Sequence, residues 1–193
     1  FSASAPGAAL PAEWLPFRLG FWKPPTPYEL VERDGRTVLR ALTRRSASGL
    51  AQRLHVDPQV APRISWSWQI VTPVPGADHR RAETEGAPAR LLLEFDRIDR
   101  PRRLDSAGVD FARLLASPYD GEHALLMYVW SETEPVGTVI PSPRSAHVKM
   151  VVVASGAASV GRWEALSRDY ARDFLEAFGH PAPRLAGVAV LSD

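Results

Sequence analysis

Four aromatic side chains on two short segments have the types and spacing to hold a ligand. In the segment SWSWQI, Trp66 and Trp68 lie two residues apart and share one face of an extended strand. In the segment LLMYVW, Tyr128 and Trp130 share a face in the same way. Such rings either stack on the apolar faces of a sugar beside a few polar groups, or fill a hydrophobic core. The sequence leaves both interpretations open, because it does not show which face of each strand is the core face.

A charged loop, PGADHRRAETEGAPAR, lies between two apolar segments and supplies the polar candidates Glu85 and Arg90. A turn at Gly86 would let the two side chains meet, and an arginine fork is well shaped to hold a carboxylate. We predict that Arg90 is at least half buried beneath the aromatic face and paired with an acid. The candidate partners are Glu85, Glu132 and Asp96. The alternative is an exposed arginine at the start of a strand.

The same loop carries carboxylates at Asp78, Glu83 and Glu85 that could hold a hard cation such as calcium. Their spacing matches neither an EF-hand nor a His-x-x-x-His pair. A charged loop tip in solvent explains them better, so neither a metal site nor a cofactor is predicted.

Catalytic residues are not identified by any motif. The five histidines are scattered along the chain, and Ser155 lacks the G-x-S-x-G elbow of a serine nucleophile. Glu94, Asp96 and Asp99 could contain an acid–base pair for glycoside hydrolysis, although two carboxylates near the end of a strand are common. Whether the protein is an enzyme therefore stays open at this point.

The composition excludes several classes of function. With 23 basic and 22 acidic residues the net charge is +1, so no binding to DNA or RNA is expected. The chain has no cysteine, which excludes disulfides and thiolate metal sites. No apolar run approaches the roughly 20 residues of a membrane-spanning helix. The sequence opens on Phe1 with a stretch rich in small residues and proline, which favours an exported, processed protein, periplasmic or secreted.

The elements that must position these side chains are mostly strands. The 18 prolines and 13 glycines divide the apolar runs into short segments, a pattern typical of strands joined by turns. Asp34-Gly35 predicts a hairpin between the first two of them. Strands are predicted in YELVER, RTVLRAL, SGLAQRLHV, RISWSWQIV, ARLLLEFD, ALLMYVWS, HVKMVVVAS and LAGVAVLS.

Two segments follow a helical pattern instead. Large apolar side chains recur at intervals of three and four near the C-terminus, which predicts that all of them face the sheet from one α-helix over residues 164–178. Gly179 and Pro181 are typical of the end of a helix. A shorter helix is predicted in GVDFARLLAS. The longer stripe consists of Trp163, Leu166, Tyr170, Phe174 and Phe178.

Many strands with one late helix favour a mainly β protein. We predict an antiparallel β-sandwich, jelly-roll-like, with one long amphipathic helix near the C-terminus. Residues 1–23 are predicted to form a partly extended N-terminal segment, and residues 24–193 a single β-sandwich domain.

A series of segments from Pro24 to Asp193 is characteristic in its order: TPYELVERDG, RISWSWQI, EGAPARLLLEFD, LLMYVWS, GTVIPSPR, RDYARDFLEAFG and LAGVAVLSD. In these segments the chain resembles a bacterial domain-of-unknown-function family (number 3047). The resemblance implies an exported, periplasmic protein without an established activity. Family sequences usually carry an acidic pair before the arginine, whereas Gly86 follows Glu85 here, which weakens any two-carboxylate site in this loop. The positions that match the family are Trp66, Trp68, Glu85, Arg90, Tyr128, Trp130, Trp163, Asp173 and Asp193.

These observations favour a non-catalytic exported module that binds a glycan or another small polar ligand. The alternatives are a hydrolase or lyase of the cell envelope that acts on carbohydrate, with Glu85 and Arg90 beside an aromatic cleft, and a protein-interaction domain. Exposure of the four rings discriminates between them, because a ligand can stack only on a ring that it can reach. The predicted ligand-binding residues are Trp66, Trp68, Glu85, Arg90, Tyr128 and Trp130.

Overall fold

Strands dominate the computed structural model, which describes residues 1–19, 23–96 and 124–193. One α-helix of this part, α1, covers Tyr170–Phe178, and a 3-10 turn covers Ala157–Ser159. The short helix predicted in GVDFARLLAS and the candidate acid Asp99 lie outside the described residues. The strands are β1 (Leu15–Arg18), β2 (Tyr28–Arg33), β3 (Arg36–Ala41), β4 (Ser48–Val56), β5 (Arg63–Gln69), β6 (Arg90–Phe95), β7 (Ala124–Ser131), β8 (Val139–Pro141), β9 (Val148–Ser155), β10 (Trp163–Asp169) and β11 (Leu185–Ser192).

Seven strands form one main sheet in the order β1-β4-β11-β6-β7-β9-β8. Neighbours in this sheet are antiparallel except β7 and β9, which run parallel because the chain passes through β8 before β9 enters the sheet. β5 and β10 form a separate two-stranded ribbon, and β2 and β3 form a hairpin. The predicted mainly β, sandwich-like class is confirmed. The parallel pair is a departure from a wholly antiparallel arrangement.

Both faces of the main sheet are buried at its centre, where every residue of β6 is buried. Consecutive side chains of a strand point to opposite faces. One face, here named the aromatic face, packs Leu93, Tyr128 and Trp130 against the ribbon and α1. The other face, here named the aliphatic face, buries Leu92 and Met127. Burial on both faces explains why these strands read as continuous apolar runs.

The predicted hairpin between β2 and β3 is confirmed. Asp34 and Gly35 both adopt positive φ angles, 52° and 74°, as a two-residue type I′ turn requires. The amide of Gly35 donates to Glu32 Oε1 at 2.8 Å, which closes the turn.

The predicted C-terminal helix is only partly correct. Residues Trp163–Asp169 form β10, and α1 begins at Tyr170. Asp169 is the N-cap of α1, because its side chain accepts a hydrogen bond from the Arg172 amide at 3.0 Å. Gly179 ends α1 at a φ of 81°, as predicted. The spacing of Trp163 and Leu166 also fits a strand, and seven residues of pairing with β5 satisfy its backbone. The prediction that one helix carries the whole stripe is therefore wrong for these two side chains.

The predicted N-terminal segment contributes β1 to the main sheet, where it pairs with β4. Gly49 of β4 permits this close approach, because a Cβ there would lie 2.4 Å from the Phe17 ring and 2.5 Å from the Val190 carbonyl oxygen. The proposed domain boundary after residue 23 stays a prediction.

Candidate functional site

The predicted site residues divide between the two faces of the main sheet. Arg90 lies opposite Val129 in the β6–β7 register, and Leu91 lies opposite Tyr128. Directly opposed side chains share a face, whereas consecutive ones do not. Arg90 therefore lies on the aliphatic face, with the Tyr128 ring on the other side of the sheet. The prediction that Arg90 lies beneath the aromatic face is wrong, and Glu85 and Arg90 do not line a cleft with the four rings.

Three of the four predicted rings belong to the core. Trp68, Tyr128 and Trp130 are 8%, 0% and 2% exposed. Their polar atoms donate hydrogen bonds to Glu164 (3.1 Å), Asp173 (2.7 Å) and Ser159 (2.6 Å), respectively. With their rings enclosed and their donors satisfied, these three side chains present no surface on which a ligand could stack.

Trp66 differs from these three rings. Its side chain is only half buried, and its ring stacks on Tyr128 with centroids 5.1 Å apart and planes inclined by 24°. The buried indole Nε1 has no hydrogen-bond partner in the described part of the chain. An unpaired buried donor costs free energy, so this N–H is the feature of Trp66 that a packing role does not explain.

An ion pair lies next to Trp66 and Tyr128. Arg168 of β10 donates to both carboxylate oxygens of Asp173, at 2.9 and 2.5 Å, and the Tyr128 hydroxyl shares the same carboxylate. The hydrogen bond with Asp173 raises the pKa of Arg168. Burial, followed by the charge of Asp173, raises the pKa of Tyr128, which keeps its hydroxyl a donor. We name Trp66, Tyr128, Arg168 and Asp173 the aromatic centre.

A second cluster of charges is buried at the start of β6. Arg90 donates Nη1 to Glu85 Oε1 at 3.0 Å and Nη2 to both oxygens of Asp193 at 3.1 and 3.2 Å. The three side chains are only 4%, 5% and 10% exposed, in that order. Burial alone would lower the pKa of Arg90, but Asp193 and Glu85 together raise it. The predicted burial of Arg90 and its pairing with an acid are confirmed: the partner among the three candidates is Glu85, and Asp193 is a second partner that was not predicted.

Arg144, in the segment between β8 and β9, covers the outer oxygen of Glu85. Its Nε donates to Glu85 Oε2 at 3.1 Å, and its Nη2 donates to the Ala82 carbonyl oxygen. We name Glu85, Arg90, Arg144 and Asp193 the charged centre. Its two arginines balance its two carboxylates, which is the condition under which buried charges are tolerated.

His79 is buried beside the charged centre and is 3% exposed. Its Nε2 lies 3.1 Å from the Trp130 carbonyl oxygen; because a carbonyl only accepts, Nε2 carries the proton. Burial lowers the pKa of His79, the charge of Arg90 acts in the same direction, and the bond to Trp130 opposes both. The neutral ring thus presents Nδ1 as an acceptor, and this atom has no partner among the described residues.

Several residues of the two centres were not predicted as site residues. Asp193 reaches Arg90 because β11 pairs with β6 and places Leu191 opposite Arg90, a contact across 103 residues without any local signal. Asp173 and Asp193 had a signal only in the family resemblance. The loop carboxylates form no metal site: within the described ranges, no group of three or more His, Asp or Glu side chains is placed to hold an ion.

These observations define a mainly β, sandwich-like protein with an aromatic centre on one face of its main sheet and a charged centre on the other. The chain belongs to the family described as "Protein of unknown function (DUF3047)", whose model matches residues 12–193. A search of curated proteins finds no significant match. In the part that the structure describes, no helix has the length and apolar character needed to cross a membrane.

Proposed function

We propose that this protein is a non-catalytic module that binds a glycan or another small polar ligand at the aromatic centre. The observation that carries the proposal is the state of Trp66, which alone among the four predicted rings combines a partly exposed side chain with an unpartnered N–H. A sugar offers an apolar face for such a ring and hydroxyl oxygens that accept from an indole donor.

The neighbouring ion pair supports the same ligand chemistry. Trp66 and Arg168 are diagonal neighbours on the inner face of the ribbon, because Trp66 lies opposite Leu166 and Ile64 lies opposite Arg168. The Arg168 side chain is 31% exposed, and a guanidinium has five N–H donors, more than Asp173 engages. Asp173 fixes the plane of this guanidinium, so a ligand hydroxyl would meet a donor already held in place.

The hydrolase or lyase alternative has less support. It requires a carboxylate that is free to exchange protons beside the rings. Both oxygens of Glu85 instead accept from arginines, and the pair Glu85–Arg90 lies across the sheet from the aromatic centre.

Replacing Trp66 by phenylalanine will weaken glycan binding about two- to tenfold, because the ring packing is kept while the N–H and part of the stacking area are lost. Binding is measured by isothermal titration against a panel of bacterial oligosaccharides, and the best ligand of the intact protein is then titrated into the variant.

The matched control is Trp163→Phe. Trp163 lies on β10 at a similar exposure, but its Nε1 donates to Asp34 at 2.8 Å on the outer face of the ribbon. This variant will bind like the intact protein. Saturable binding that Trp66→Phe leaves unchanged, or no binding of any member of the panel, would show that the aromatic centre is not a ligand site.

We also propose that the protein acts in the periplasm or is secreted, on the basis of its resemblance to exported proteins. A fusion of the full-length gene product to alkaline phosphatase, an enzyme that needs disulfides and therefore an oxidising compartment, will be active in the bacterium. The same phosphatase fused to a cytoplasmic protein is the control. Activity no higher than in this control contradicts the proposed location.

A further inference from the structure

On its solvent side, the charged centre is covered by one arginine side chain, that of Arg144. Arg144 covers two acceptors, Glu85 Oε2 and the Ala82 carbonyl oxygen. The Arg144 side chain is 53% exposed, whereas that of Glu85 is 5% exposed. The acceptors are therefore buried, and the group that satisfies them reaches in from the solvent side.

The charges beneath Arg144 require a cation at this position. Arg90 supplies one positive charge against the two carboxylates of Glu85 and Asp193, so this inner part carries a net charge of −1. Arg90 cannot balance it alone, because a single guanidinium carries one positive charge, and its Nη1 and Nη2 already donate to those carboxylates and to the Glu85 carbonyl oxygen. Any group that replaces Arg144 must bring both positive charge and N–H donors.

An independent observation comes from His79. Its Nδ1 is a buried acceptor without a partner among the described residues, and its charged neighbours are Arg90, Glu85 and Asp193. A side chain that is only 3% exposed and has one ring nitrogen unsatisfied beside a charge cluster is unusual for a purely structural ion pair. Arg90 Nε is likewise a buried donor without a partner among the described residues, so an open acceptor and an open donor both lie at the charged centre.

We propose that Glu85 Oε2 and the Ala82 carbonyl oxygen form a binding site for a guanidinium-bearing ligand, and that Arg144 of the chain itself fills this site. The guanidinium of the ligand takes over both acceptors, and Arg144 moves into solvent. A planar fork matches a carboxylate and a neighbouring carbonyl better than an ammonium does. The site lies on the opposite side of the sheet from Trp66, so it is independent of the proposed glycan site.

Removal of Arg144 will expose the site to small guanidinium compounds. Arg144→Ala will bind agmatine, a guanidinium on a short alkyl chain, at least about tenfold more tightly than the intact protein, because the competing side chain is gone. Putrescine, an ammonium of similar length, will bind more weakly than agmatine. Isothermal titration calorimetry at low ionic strength measures all of these affinities.

The matched control is Arg80→Ala, which removes another loop arginine of similar exposure, 52% against 53%, whose carboxylate partner Glu134 is less buried than Glu85, 23% against 5% exposed. It will show no gain in agmatine binding, and Trp66→Phe will not alter the binding by Arg144→Ala. The double variant Glu85→Gln/Arg144→Ala will not bind agmatine. Agmatine binding by Arg144→Ala that is no tighter than that of the intact protein or of Arg80→Ala overturns the proposal, even if the Glu85 variant fails to fold.

Discussion

Replacement of Arg90 by leucine will lower the free energy of unfolding by about 3–5 kcal/mol, the usual cost of removing one partner from a buried ion pair. The guanidinium is the cation between Glu85 and Asp193, and all three side chains are at least 90% buried. Leucine would leave two carboxylates close together with only Arg144 to balance them. Urea denaturation followed by circular dichroism measures the loss.

Two further variants separate the effect of the charge from that of its position. Arg90→Lys keeps the charge but loses the fork that reaches both carboxylates, so its stability will fall between those of the intact protein and Arg90→Leu. Arg80→Leu removes an exposed arginine paired with Glu134 and will change stability little. An Arg90→Leu protein as stable as Arg80→Leu would mean that the charged centre does not hold the fold together.

The strands could be predicted because their signal is local. Tyr28–Arg33, Ala124–Ser131 and Leu185–Ser192 have the bounds that short apolar runs and the turn residues around them indicate. The segment Trp163–Asp169 could not be assigned in this way, since its side-chain spacing fits a helix as well as a strand. Its pairing with β5, about a hundred residues earlier in the chain, decides for the strand.

The site was harder to predict than the strands because its grouping depends on which face each side chain takes. Glu85 could be included among the three candidate partners of Arg90, since the two residues lie five positions apart along the chain. Their separation from Tyr128 follows from the β6–β7 register, in which Arg90 lies opposite Val129. A register that differed by one residue would place Arg90 and Tyr128 on the same face. Sequence alone does not fix that register, so a single aromatic and charged cleft could be predicted where the protein has two centres.

Each centre has one side chain on the paired central strands, Arg90 on β6 and Tyr128 on β7. Tyr128 and Val129 are consecutive residues of β7, and their side chains reach the aromatic and aliphatic faces in turn. Ligand binding at one centre can therefore be tested with the other intact, provided that the core around α1 is sound.

Replacement of Phe174 by alanine will cost about 3–5 kcal/mol of unfolding free energy, the range for emptying a buried aromatic site. Phe174 is fully buried on α1, and its ring centroid lies 4.4 Å from those of both Phe95 and Phe178. The cavity would open between α1 and the main sheet, where β6 gives the cluster little room to collapse. Chemical denaturation followed by far-ultraviolet circular dichroism gives the free energy without relying on the tryptophans.

The matched control for this prediction is the next residue of the same helix. Leu175 is 46% exposed, so Leu175→Ala keeps the helix propensity and removes little buried surface. It will cost clearly less than Phe174→Ala. If the two variants lose similar amounts, or if Phe174→Ala loses less than about 1 kcal/mol, below the range for buried aromatic truncations, then α1 does not anchor the aromatic face. Its Asp173 would then be too loosely held to orient Arg168 for a ligand.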